Sequence, residues 1–111
     1  SLGCTFAIKT ASSNQPKQLI LEAPFLNLVD VVNTIILFYH LNFYSIINSN
    51  LINTYKSRSK TTIFHGIKDK VVPISSGEKL FSKSDSEISS FITIEKGTHH
   101  NLSDFSIYQK T

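Results

Sequence analysis

Apolar residues recur at helical intervals over the first dozen positions. Leu2 and Phe6, with Cys4, Ala7, Ile8 and Ala11, carry that spacing, and Ser12-Ser13-Asn14-Gln15-Pro16 ends it. The pattern predicts a short, mostly buried helix. Gln18-Leu19-Ile20-Leu21-Glu22-Ala23, closed by Pro24, has the length of a buried strand. Thr61-Thr62-Ile63-Phe64-His65, closed by Gly66, and Phe91-Ile92-Thr93-Ile94-Glu95, closed by Gly97, predict two more. Between these last two, Pro73 precedes Ser75 and Glu78, which have the spacing of a capping box, so a helix is predicted from near Ser75 through Leu80 and Phe81. Residues 82–90 are polar and read as a loop. Helices alternating with strands predict an α/β fold, with parallel strands joined by crossover helices.

Residues 31–47 carry no formal charge and are rich in Ile, Leu, Phe and Tyr. Asn33, His40 and Asn42 interrupt the stretch, and it falls short of the roughly 20 apolar residues of a membrane span. A cap-like insertion over about residues 26–60 is the better expectation, with an apolar surface able to touch a membrane.

Composition adjusts this picture modestly. The 111 residues are 41% hydrophobic, which suits one globular domain, but only 17% charged, so much of the surface expects a covering. A net charge of +3 comes from scattered lysines and Arg58 without a dense stripe, which argues against a nucleic-acid partner. Cys4, the single cysteine, excludes an internal disulfide and leaves no soft-ligand metal site. Its count is compatible with a reducing compartment, and a cytoplasmic or membrane-associated place is expected ahead of a secreted one. The chain has no methionine and starts in the middle of a motif, so a further N-terminal portion is expected ahead of Ser1.

Candidate chemistry lies at three places. Ser1-Leu2-Gly3 opens the first helix, and taken alone Ser1 reads as a helix cap. Gly66-Ile67-Lys68-Asp69-Lys70-Val71-Val72-Pro73 follows the second strand and alone reads as a turn. Gly97-Thr98-His99-His100-Asn101-Leu102 follows the third and alone reads as a polar loop, or as a pair of metal-binding imidazoles without further ligands. Each of the three is expected to follow a strand end, where ligands bind in open α/β sheets, the strand before Ser1 lying upstream of these residues. Ser, then Asp, then His is the chain order of one class of nucleophile, orienting acid and base.

These segments together resemble the BEM46-like branch of the α/β-hydrolases. Ser1-Leu2-Gly3 matches the back half of the Gly-x-Ser-x-Gly nucleophile elbow, and Leu19-Ile20-Leu21-Glu22-Ala23-Pro24-Phe25 is similar to the next strand. Ile63-Phe64-His65-Gly66-Ile67-Lys68-Asp69-Lys70-Val71-Val72-Pro73, Gly77-Glu78-Lys79-Leu80 and the His99 loop complete the match. The resemblance spans the chain and is weakest over residues 26–60. Cys4 departs from it, standing where many members have a small residue.

The resemblance implies that residues 1–111 are a single partial α/β-hydrolase domain whose N-terminal half is missing. It implies a serine hydrolase cleaving a carboxylic ester, thioester or related acyl bond, with Ser1 as nucleophile, Asp69 as acid and His99 as base. His100 is the alternative base, from an alignment to Gly-x-Gly-His. The Leu2 backbone N–H would be one oxyanion donor, with a second upstream of Ser1. The partner would be a small-molecule acyl substrate, and no cofactor or metal is implied. A serine peptidase of the same fold, a non-catalytic interaction fragment, and a Ser1 that uses its own α-amino group remain as alternatives. Three strands cannot bury both faces of a parallel sheet, so these residues by themselves are expected to be poorly stable and inactive.

Overall fold

A computed structural model describes residues 2–25 and 59–111. The cap-like insertion expected over residues 26–60 therefore lies outside the described residues, apart from Ser59 and Lys60. Lys60 belongs to a strand rather than to a cap.

The first helix, α1 (Leu2–Asn14), runs past the expected stop. The reason is local. Ser12 Oγ donates back to the Lys9 carbonyl at 2.7 Å, and Asn14 Nδ2 to the Thr10 carbonyl at 2.9 Å, so both residues bond within the helix. Gln15 ends it in the left-handed region at φ 47, its N–H on the Ala11 carbonyl at 2.8 Å. The helix is also less covered than expected. Cys4, Ile8 and Ala11 are buried, whereas Phe6 is 68% exposed.

Among the described residues three strands follow, β1 (Gln18–Glu22), β2 (Lys60–Gly66) and β3 (Ser89–Ile94), all parallel in the order β1-β2-β3. The chain is thus of the mixed α/β class. Leu19 and Leu21 of β1 face the core, while Ile20 on the other face is 45% exposed, so β1 is half-covered rather than the buried strand its apolar run predicts. β2 is central and buried from Thr61 onward. A parallel strand covered on both sides reads as a continuous apolar run, and Ile63 and Phe64 supply its bulk.

One face of the sheet meets the two longer helices. Leu19, Leu21 and Ile63 pack with Cys4, Ile8 and Ala11 of α1 and with Leu80 of α2 (Ile74–Ser82), with Phe91 against the cluster. Among the described residues, the opposite face is covered by a 3₁₀ turn (Leu102–Asp104) and by α3 (Ser106–Gln109), neither of which the sequence pattern predicts. There Phe64, Ile94 and Ala23 pack on Leu102, with Phe105 and Tyr108 at the margin. The Tyr108 ring lies 4.6 Å from that of Phe64, and its hydroxyl donates to Glu22 at the end of β1. That hydrogen bond, ahead of burial, raises the phenol above its ordinary value near 10.

The expected capping box does not form. α2 starts one residue early, with Pro73 at the N-cap at φ -63 and ψ 142 and no side-chain cap hydrogen bond. Proline's fixed φ sets the start, and Ser75 falls inside the first turn, exposed. Ser75→Ala is therefore expected to change unfolding free energy by less than about 0.5 kcal/mol, where a lost cap costs about 1 kcal/mol. Denaturant titration of the two proteins distinguishes these values.

Candidate active site

All three strands run the same way, and Glu22, Phe64 and Ile92 lie abreast near their C-terminal ends. Whatever leaves those ends is therefore gathered at one edge. The start of α1 reaches the same edge, because the Cys4 thiol in its first turn donates to the Glu22 carbonyl at 3.3 Å. Leu2 opens that helix, and Ser1 lies outside the described residues.

From β2 the chain turns at Ile67 and Lys68, and Asp69 folds back with its N–H on the Gly66 carbonyl at 3.2 Å. Its carboxylate is buried. Oδ1 accepts the backbone N–H groups of Val71 and Val72, both at 2.8 Å, which is the short-range bonding that makes aspartate a turn former. Oδ2 accepts the His99 Nδ1–H at 2.8 Å. A carboxylate has no proton to donate here, so Nδ1 carries the hydrogen and Nε2 is the basic nitrogen of the neutral ring.

His99 leaves β3 through a tight turn in which the Gly97 N–H donates to the Ile94 carbonyl at 2.9 Å. Asn101 Oδ1 then accepts both the Thr98 N–H at 2.7 Å and the Thr98 hydroxyl at 3.0 Å, tying the loop to itself. The two loops are also joined directly. The Lys68 N–H donates to the Gly97 carbonyl at 2.9 Å and the Ile67 N–H to the Ile94 carbonyl at 3.0 Å. Gly66 and Gly97 touch where they cross: a Cβ on Gly66 would stand 2.3 Å from the Gly97 oxygen, and one on Gly97 would stand 3.0 Å from the Gly66 Cα. Neither glycine has a positive φ, so close approach, not a special backbone angle, is what requires them.

Of the two adjacent histidines, His99 meets Asp69. Its side chain is 12% exposed, enough to be reached from solvent. His100 is exposed, and its ring stands edge-on to that of His99 at 5.0 Å. His99, not His100, is the one hydrogen-bonded to the carboxylate.

One residue at this edge escaped the sequence reading. His65 is wholly buried in β2, four positions before Asp69, with Nε2 3.8 Å from Asp69 Oδ2. The signal available was a titratable residue directly after Ile63 and Phe64 at the end of the strand. Burial, above all, holds its imidazole below the ordinary value near 6.5, and the charge of His99 acts the same way. The hydrogen bond to the Val72 carbonyl and the negative charges of Asp69 and Glu78 oppose this. Among the described residues, no group of three or more His, Cys, Asp and Glu side chains is arranged to hold a metal ion. None of the described helices is long and apolar enough to cross a membrane.

No protein-family model matches the chain. No solved structure matches it either. A curated protein of Acanthamoeba polyphaga mimivirus, described only as uncharacterized, is 31% identical over 128 residues that take in 97% of this chain. The chain spans 44% of the length of that relative.

Two expectations follow from this geometry. Gly66→Ala must push the loops apart, because the atoms in the way are backbone; it should destabilise the fold by about 1–3 kcal/mol and remove the low-field Nδ1 proton resonance of His99. Equilibrium unfolding and proton NMR read these two effects. Second, His65 in the unfolded chain titrates near pH 6.5 and in the folded chain lower, so the unfolded state binds the proton first. The stability that a neutral His65 contributes is whole above about pH 6.5 and is lost as pH falls towards the lowered value. His65→Gln should flatten the acid side of the stability profile, and an unaltered profile would show that this histidine does not shape it.

Proposed function

We propose that this chain is the C-terminal part of an α/β-hydrolase related to the BEM46-like branch, acting as a serine hydrolase on a carboxylic ester, thioester or related acyl bond. The observation that carries this reading is the His99 Nδ1–H hydrogen bond to Asp69, made between loops that leave neighbouring parallel strands at the edge where α1 begins. The order of Ser1, Asp69 and His99 in the sequence supplies the rest.

In this reading Ser1 Oγ attacks the acyl carbon while His99 Nε2 takes the hydroxyl proton. Asp69 keeps the imidazole in the Nδ1–H tautomer and stabilises its positive form. The tetrahedral oxyanion is held by the Leu2 N–H at the positive end of α1. Collapse breaks the bond to the leaving group, which receives the proton from Nε2, and water then releases the acyl group by the same route. The apolar content of residues 26–60 leans the substrate towards an acyl or lipid-like molecule.

The test is made on the intact protein that carries these residues. A fluorophosphonate probe should label it, and Ser1→Ala should abolish labelling. His99→Ala should lower kcat on an acyl ester by about 10⁴-fold or more, and Asp69→Asn by a similar order. His100→Ala should cost less than about tenfold. Labelling that survives Ser1→Ala, or full activity in both histidine variants, would overturn the proposal.

A further inference from the structure

The hydrolase reading leaves His65 without a task, yet its surroundings are built closely around it. Its Nε2 lies 3.0 Å from the Val72 carbonyl oxygen. A carbonyl only accepts, so Nε2 carries the hydrogen and Nδ1 is bare. Nδ1 is buried with no hydrogen-bond partner among the described residues. It faces Gly77 of α2, where a Cβ would stand only 2.5 Å away and 3.1 Å from the Phe91 ring. The glycine thus makes room for the imidazole against the helix.

Val72 is held at both ends. Its N–H donates to Asp69 Oδ1 at 2.8 Å, and its carbonyl accepts from His65. Pro73 follows, which restricts Val72 to extended backbone and stiffens it further.

We propose that His65 is a positioning residue: its neutral imidazole grips Val72 and thereby fixes the Asp69 carboxylate for His99. The proposal rests on the hydrolase reading for its catalytic consequence, but not for its geometry. Neutrality matters because His65 Nε2 is 3.8 Å from the same Oδ2 that His99 uses. A charged His65 would draw that carboxylate away from His99. The charged and titratable groups facing it are Asp69, His99 and Glu78. A second proton would have to sit on Nδ1, in a buried place that offers no acceptor, and this cost of burial outweighs the two carboxylates.

The experiment compares wild type, His65→Phe and His65→Gln in the intact protein. It combines ¹⁵N-resolved NMR titration of the histidines with kinetics on a short aryl acetate. Wild type should show His65 as the neutral Nε2–H tautomer from about pH 6.5 upward. His65→Phe fills the space but grips nothing; it should lower kcat about tenfold with KM changed by less than about twofold, and it should move the His99 titration midpoint. His65→Gln can donate to the Val72 carbonyl and should recover most of the rate and the wild-type midpoint. A purely structural role would alter stability without moving that midpoint.

The proposal is overturned by an Nδ1–H tautomer in wild type, by a His65→Phe protein with normal kcat and His99 titration, or by a His65→Gln protein as impaired as His65→Phe. Should the variants not fold, the wild-type tautomer decides alone. A wild type that neither labels with fluorophosphonate nor turns over ester, while His65→Phe still moves the His99 midpoint, upholds the positioning role and overturns the hydrolase reading. A labelled, active wild type whose His99 is indifferent to residue 65 does the reverse.

Discussion

The Asp69 carboxylate uses one oxygen on its own loop and the other on a different one. Through Oδ1 it closes the turn that carries it, and through Oδ2 it captures His99, 30 positions further on. A buried carboxylate without such partners would be among the costliest groups in the fold. The loop is therefore shaped by the need to surround the charge, and the histidine is oriented as part of that surrounding. Folding and proposed chemistry call for the same three hydrogen bonds.

The sheet makes this arrangement possible at little further cost. Parallel strands deliver their C-terminal ends to one edge, so two loops from adjacent strands begin side by side. β2 and β3 continue their pairing past the strands through the Ile67 and Lys68 N–H groups, which keeps the loops in step up to Asp69. Beneath them, Phe64, Ile94 and Leu102 form an apolar floor on one face, and His65 with Gly77 forms a tight wall on the other. The proposed pair is thus supported from both faces of the sheet.

Much of this framework was legible in the residues themselves, and the exceptions have physical causes. β2 was plain because a β-branched and aromatic run ends at a glycine. The end of α1 is ambiguous in the sequence because Ser12 and Asn14 can stop a helix or bond back into it, and here they bond back. Spacing alone suggests a start of α2 near Ser75, whereas Pro73 fixes the turn. α3 was invisible because its four residues are too few to show a period, and what holds it is the contact of Tyr108 with Phe64 and Glu22 across the whole chain. Ile20 looked like core because apolar character does not reveal which face of an edge strand is covered. At the site, Asp69 and His99 stood out by their loops, but the grip of His65 on Val72 depends on how a strand and a turn fold over each other. No local pattern contains that.

The crossing of Gly66 and Gly97 bears on how freely such a sequence can drift. At most crowded positions a larger side chain can be accommodated when a neighbour shrinks. Here a substituent on Gly66 would meet the carbonyl of Gly97 itself, an atom every amino acid possesses. No compensating change at residue 97 or elsewhere on the loop removes it. Beside the crossing, the side chain of His100 is exposed and can vary without touching it. Over long divergence, then, a pair of glycines ending two adjacent strands would outlast changes in the polar residues and the surface around it.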